Sequence, residues 1–438
     1  MNEFIAARSQ MAISLGFHII FSCIGMAMPF FMATSHYLWL KTQNPIYKQI
    51  TMAWSRGVAI FFATGAVSGT VLSFELGMLW PTFMEHAGPI FGLPFSLEGT
   101  AFFIEAIALG FFMYGWDKLN PWFHWFTGVI VGLSGVASGI LVVSANSWMN
   151  SPSGFIFKNG KYLQIDPIKA MFNAAWLSEA LHMTIAAFAA TAFAVAGIHA
   201  WMILKRKNMF FHRKAFKIVI IFGVIAAILQ PLSGDLSARG AAKRQPAKLA
   251  AMESHFKTGK NVPLYIGGIP NEKEQRITDA IAIPGMLSFM VNGDPNSTVR
   301  GLDSFPADEH PPVAVVHYAF QIMVALGMLM LMIGLTYLIG LLKKKDLLDY
   351  KWFLIISTMA TPIGFIAVEA GWTVTEVGRQ PWIIQGVMQT KDAVTAMPGI
   401  IYTFYTFTAV YFSLAIMVAY LLYRQITKIS DNGFQFEK

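Results

Sequence analysis

The chain has 438 residues, 55% of them hydrophobic and 13% charged, with a mean hydropathy of +0.53. Soluble domains carry about 25% charged residues, so roughly half that value points to an all-α, polytopic protein built for a lipid bilayer. The net charge of +8 would suit nucleic acid, but the basic residues flank apolar runs in short clusters and so carry topology, which excludes a nucleic-acid patch.

About 20 apolar residues cross the hydrocarbon core. By that measure the sequence predicts nine spans, at 12–39, 54–80, 94–116, 124–147, 174–204, 214–234, 313–342, 352–372 and 401–424. The first run has no basic leader and no small-residue cleavage site, so it is expected to stay as an anchor. It holds the single cysteine, Cys23, which rules out a disulfide within the chain and a thiolate-built metal site.

Lys41 and Lys48 follow the first span and Lys118 the third. Lys205, Arg206, Lys207, Arg213 and Lys214 fill one later loop, Lys343, Lys344, Lys345 and Lys351 another, and Arg424 and Lys428 follow the last span. All fall on one side if the amino terminus is outside, and that side is the cytoplasm. The 81–93 connection has no Lys or Arg, while Lys158, Lys161 and Lys169 are mild exceptions outside.

The spans divide the chain into 1–234, with spans one to six; an outer loop, 235–312; and 313–438, with spans seven to nine and a cytoplasmic tail. The front of the loop reads as partly helical and basic, and its back is rich in Gly and Pro (YIGGIPNEKEQ). A loop that long in a compact protein is usually functional or disordered.

Chemistry-bearing side chains collect toward the outer ends of the spans. His18 lies in the first, Glu75 near the end of the second, Glu98 and Glu105 open the third, His182 lies in the fifth and Met323 in the seventh. Glu369 closes the eighth within EAGWTVTEVGRQPW, with Glu376 and Arg379 after it. An ionisable group at a helix centre costs about 2.5–3.5 kcal/mol on insertion scales, so a carboxylate among Ala367, Val368, Ala370, Gly371 and Trp372 suggests a metal or a proton. Glu98 and Glu105, seven apart, share one helix face and suit proton relay. Imidazole and thioether are axial ligands of haem iron. A lone membrane His also serves as a helix-to-helix hydrogen bond, and most of the 25 Met must be packing. His317 is a rival ligand on these grounds, and His36, His124, His199 and His212 read as cytoplasmic interface residues.

These segments resemble subunit I of the cytochrome bd family of quinol oxidases over essentially the whole chain. The matching stretches are ARSQMAISLGFHIIF with His18, SLEGTAFFIEA with Glu98 and Glu105, ANSWMN with Asn146, and LHMT with His182. KLAAMES with Lys248 and Glu253, YAFQIMVALG with Met323, and EAGWTVTEVGRQPW follow in order. The resemblance implies His182 and Met323 as axial ligands of a low-spin haem b. It implies His18 and Glu369 as ligands of two high-spin haems, one haem b and one haem d or a further haem b, with Trp372 beside them. Glu98, Glu105, Glu369 and Arg379 would then be catalytic, and Lys248 and Glu253 would contact quinol in the outer loop, the family's Q-loop. It also implies dioxygen as oxidant, a subunit II partner, often a small single-span peptide, and the bacterial cytoplasmic membrane.

Two departures stand out. Gln321 occupies a position where many members carry Arg, and Glu75 lies two residues later than the carboxylate of many relatives. With the shorter Q-loop, these features are closer to the cyanide-insensitive branch. Two other readings fit parts of the pattern: a proton- or cation-coupled transporter using Glu98, Glu105 and Glu369, and a bis-His cytochrome b using His182 and His199.

Overall fold

The computed structural model describes residues 2–158, 161–394 and 398–432. The side chains of Lys161 and Lys428, two of the topology markers, lie outside the described residues. Among these residues nine helices are long and apolar enough to cross a membrane, as the sequence predicts. They are α1 (Glu3–Thr42), α2 (Pro45–Leu79), α3 (Pro81–Tyr114), α4 (Pro121–Asn150), α5 (Trp176–Leu204), α6 (Met209–Arg244), α7 (Val313–Leu342), α8 in two pieces (Lys351–Met359 and Ile363–Val377) and α9 (Ile400–Asn432).

Local chemistry sets several ends. Asn44 and Asn120 cap α2 and α4 with their side chains and are each followed by Pro at the first helical position, where its missing N–H costs nothing. Pro362 stops the first piece of α8, since its ring cannot continue the hydrogen-bond ladder. The break packs against Gly197 of α5, where a Cβ would come within 2.7 Å of Ser357 O.

Two boundaries differ from the sequence reading. The α3 helix begins at Pro81 rather than 94, so the 81–93 connection is helix and only Trp80 separates α2 from α3. Pro94 looks like a helix start, but Pro89 and Pro94 both sit inside the helix, which tolerates their lost N–H groups. The α6 helix runs to Arg244, ten residues past its apolar stretch, with Asp235 and Arg239 paired one turn apart at 2.8 Å along that extension.

Consecutive helices pair as antiparallel hairpins, α1 with α2, α3 with α4 and α5 with α6, and α1 also packs on α4, α5 and α9. The halves of the helices toward Lys41, Lys118 and Lys343 close on an aromatic and aliphatic core that includes Phe31, Phe112, Phe193, Phe216 and Phe353. There the four histidines read as interface residues are buried instead: His36 stacks with Trp116 and meets His124, while His199 Nδ1 lies 2.8 Å from His212 Nδ1. They sit near helix ends, but each faces a neighbouring helix rather than the water boundary.

Between α6 and α7 the chain forms a short helix, Pro246–Met252, and a kinked hairpin of four strands: β1 (Leu264–Ile266), β2 (Ile269–Asn271), β3 (Arg276–Thr278) and β4 (Ile281–Ile283). β1 pairs with β4 and β2 with β3. The kink falls at Gly267 and Gly268, whose φ of +67° and +98° suit glycine.

Candidate functional site

At the ends away from Lys41, Lys118 and Lys343, α1, α2, α3, α4 and α8 enclose a cavity of about 710 Å³, within the range of cofactor pockets. His18, Glu98, Glu105, Glu369, Trp372 and Arg379 all line it. Six of the residues singled out from sequence thus meet around one space. Glu105 lies against Gly135, midway along α4, so it sits at mid-depth rather than toward a helix end.

Glu369 Oε1 is buried in this wall without a hydrogen-bond partner. A buried unpaired carboxylate oxygen is costly and needs a ligand or a proton. Glu98 Oε1 accepts from Ser138 Oγ at 3.0 Å across the α3–α4 boundary.

The two candidate histidines are set by the same device. Ser68 Oγ donates to Thr64 O at 3.0 Å and lies 2.9 Å from His18 Nδ1. Ser233 Oγ donates to Gln230 O at 2.9 Å and lies 3.0 Å from His182 Nδ1. A hydroxyl whose proton is committed to a carbonyl can only accept from Nδ1–H, which leaves Nε2 as a bare lone pair. That is the tautomer a metal takes, oriented by its outer hydrogen bond. Ser22 Oγ lies 3.0 Å from His18 Nε2, and Gln230 Nε2 lies 3.2 Å from His182 Nε2.

His182 and Met323 do not line the cavity. Met323 Sδ lies 3.0 Å from where a Cβ on Gly371 would be, and His182 Cε1 lies 3.5 Å from the same point on Gly234. Gly364 of α8 meets Ala190 of α5 and Gly197 meets Thr361, so the antiparallel register brings Gly371 level with His182 and Met183. The thioether and the imidazole are therefore at one depth.

A pattern that the sequence did not reveal emerges. Each of the four candidate ligands faces a glycine on another helix: Gly69 for His18 at 3.1 Å, Gly16 for Glu369 at 3.1 Å, Gly234 for His182 and Gly371 for Met323. These cradles exist only because no Cβ is present, and together with the orphaned Glu369 oxygen they fit a flat, bulky, metal-bearing group. Haem suits the donor set.

The rival ligand His317 is committed elsewhere: its Nδ1 lies 2.9 Å from Met252 O and its Nε2 3.3 Å from Gly267 O. His199, the second histidine of the bis-His reading, is packed against His212 and Trp54 in the core.

At the outer end of the cavity lies a buried polar junction, also unseen in the sequence. Asn150 Oδ1 accepts from Gln245 Nε2 at 3.2 Å, Lys248 Nζ at 3.3 Å and Arg379 Nη1 at 3.1 Å. Its Nδ2 donates to Glu179 Oε1 at 3.2 Å. Arg379, 2% exposed, pairs with Glu376 at 2.6 Å, and Asn146 Nδ2 donates to Glu376 Oε1 at 2.5 Å. Burial, then the positive charge of Arg379, lowers Lys248 to about 8.

A second, smaller cavity of about 110 Å³ opens on the loop side, lined by Gln245, Lys248, Glu309, Trp382 and Gln385 among others. Arg379 and Gln380 line both cavities and form the wall between them. Glu253 lines neither. It is buried beyond the short helix, with Oε2 unpartnered, and burial pushes it up to about 8. The structure therefore separates the two residues paired from sequence as quinol contacts: Lys248 faces the smaller cavity and Glu253 the loop interior.

Comparisons with known proteins identify the family. The family model for cytochrome bd terminal oxidase subunit I matches residues 6–430. The chain is 34% identical to a putative cytochrome bd menaquinol oxidase subunit I of Bacillus subtilis, covering 96% of both chains. It is 30% identical to cytochrome bd ubiquinol oxidase subunit 1 of the same organism, covering 99% of this chain and 95% of the relative. It superposes on a bd oxidase structure from Geobacillus thermodenitrificans with a TM-score of 0.92 and 34% identity, over 98% of this chain and 99% of that one. Nine spanning helices, a glycine-cradled set of histidine, methionine and glutamate, and near-complete matches to its relatives establish that the chain belongs to the cytochrome bd terminal oxidase subunit I family, the haem-carrying quinol oxidases of respiratory membranes.

Proposed function

We propose that this subunit oxidises quinol at its outer loop and reduces dioxygen to water in the large cavity, building a membrane potential without a proton pump. His182 and Met323 would hold a low-spin haem b, and His18 and Glu369 the irons of two high-spin haems, one haem b and one haem d or a further haem b. When bound, these groups supply electron transfer and the reduction of dioxygen.

The chain's own residues do the rest. Lys248, held by Gln245 and Asn150, presents a cation to the quinol head group in the smaller cavity. Glu253 stands ready deeper in the loop to hold a proton. Arg379 and Gln380, as the shared wall, keep the quinol apart from the dioxygen cavity while placing a positive charge beside both. Glu98 and Glu105, two turns apart on α3, carry protons from mid-depth along the cavity wall. With the amino terminus and Q-loop outside and the carboxyl terminus in the cytoplasm, quinol protons leave outside and the protons of water come from within. A bacterial cytoplasmic membrane is the setting, with subunit II as partner and a small single-span subunit beside it.

The unpartnered Glu369 oxygen in the cavity wall carries this reading. Replacing Glu369 by Ala is expected to abolish dioxygen reduction while leaving the low-spin haem spectrum in place. Wild-type turnover in that variant would refute it.

A further inference from the structure

The outer loop carries a second surface, away from both cavities. In the hairpin, Leu264 pairs with Ile283 and Ile266 with Ile281, so these side chains share one face. On that face Ile266 is 49% exposed, Ile281 68% and Ile283 39%, and Ile269 beyond the kink is 54% exposed. Exposed isoleucines gathered on one small hairpin mark a contact surface rather than a water-facing one.

The depth of the hairpin follows from its contacts with α7. Gln321 Oε1 accepts from Gly267 N at 3.1 Å and its Nε2 donates to Tyr265 O at 3.0 Å. One turn earlier His317 meets Gly267 O, and at the very start of the helix Glu272 Oε1 accepts from Ala314 N at 3.3 Å. The hairpin therefore runs along α7, its charged tip (Glu272, Lys273, Glu274 and Arg276) at the outer end and its kink beside Gln321. Gln321 lies eight residues past Val313, about 12 Å along the axis. A 30-residue helix is about 45 Å long and the hydrocarbon layer about 30 Å thick, so a centred α7 leaves about 8 Å outside at each end. The kink is thus inside the apolar layer, level with the exposed Tyr318 and Ile322 of α7.

The polar contacts at the kink answer the same environment. Within hydrocarbon every backbone N–H and C=O must find a partner in the protein. The Gly267–Gly268 kink interrupts the strand ladder, and Gln321 and His317 meet the groups it releases, Tyr265 O, Gly267 N and Gly267 O. A neutral amide, which both donates and accepts, fits this task; an arginine has no acceptor for Gly267 N.

We propose that the 264–283 hairpin dips into the outer leaflet, its isoleucine face against lipid acyl chains and its charged tip among the head groups, held on α7 by Gln321 and His317. The occupant follows from continuity: the patch extends the exposed apolar face of a membrane-spanning helix at the same depth.

The test places a nitroxide label at Ile281→Cys in the complete oxidase, reconstituted in liposomes. Cys23 is 2% exposed, and the labelled parent oxidase supplies the background. Relaxation by dioxygen is expected to exceed relaxation by a water-soluble nickel chelate at this site, and the order is expected to reverse for the same label at Glu274→Cys on the tip. Nickel access at Ile281→Cys equal to that at Glu274→Cys would place the hairpin in water and overturn the proposal. Protection from both reagents would mean a protein surface covers the patch, and would overturn it equally. Adding Gln321→Ala to Ile281→Cys is expected to raise nickel access severalfold; no change would remove Gln321 from its holding role.

Discussion

Replacing Gly371 by Ala tests the candidate ligand cradle without touching a candidate ligand. The new methyl carbon would stand 3.0 Å from Met323 Sδ, where a comfortable contact between such atoms is about 3.5–4.0 Å. The thioether would have to retreat by about 0.5–1 Å, and overpacking of this kind costs about 1–3 kcal/mol. The backbone has little room to give way, because the neighbouring Gly364 is already pressed against Ala190. Gly327→Ala, one turn past Met323 on the same helix, is the control, since nothing lies within 4 Å of its added carbon. Reduced-minus-oxidised spectra of both variants in membranes are the assay. The low-spin signal is expected to fall or shift in Gly371→Ala and to match the parent in Gly327→Ala. An unchanged low-spin band in a well-expressed Gly371→Ala protein would refute Met323 as the ligand, and Met323→Leu should then leave that band intact too.

Four further perturbations address the remaining parts of the site. Ser233→Ala removes the acceptor at His182 Nδ1 and is expected to move the midpoint potential of the low-spin haem with its ligation retained, read by spectroelectrochemistry. Asn150→Leu strips one acceptor from Gln245, Lys248 and Arg379, each of which keeps a second partner, so at about 0.5–1.5 kcal/mol per lost bond the loop junction should loosen and quinol KM rise more than kcat falls. No change in either would show the junction to be idle. Lys248 keeps its proton below about 8 and loses it above, whereas in the unfolded chain it would hold it to about 10.4. Quinol affinity should therefore fall as pH rises through 8. Glu253, raised to about 8, holds its proton in the fold where the unfolded chain would release it. Its contribution to stability is full below about 4.5 and is lost as pH rises through 8. Glu253→Gln should flatten thermal stability across that interval while leaving the Lys248 effect on KM; a slope unchanged from the parent would exclude Glu253 as its source.

The legible parts of this protein were those that composition and local pattern encode. Nine apolar runs correspond to nine spanning helices among the described residues, and Glu369 stands out because its neighbours are apolar. The helix ends were less legible: Pro94 resembles a start signal, yet α3 passes through it, and α6 continues over charged residues that pair along its own surface. Met323 could not be told from two dozen other methionines by type. What separates it is Gly371 on another helix, and among 36 glycines nothing local marks the four that face the candidate ligands. The Asn150 junction was hidden for a related reason, since its members lie up to 229 residues apart. Gln321 looked like a lost cation and turned out to bridge the loop backbone.

The aromatic core of the inner halves has an electrical consequence. Phe31, Phe112, Phe193, Phe216 and Phe353 pack that half of the molecule with apolar side chains, and on the proposed topology about half of the transmembrane voltage would drop across it. Glu105 stands at the upper edge of this plug. On the proposed topology a proton drawn from the cytoplasm to Glu105 traverses about half of the field, which at about 2.3 kcal/mol per charge per 100 mV amounts to about 1.2 kcal/mol of work for each proton consumed. Charging the membrane would then be a by-product of where the carboxylate sits, achieved by depth alone.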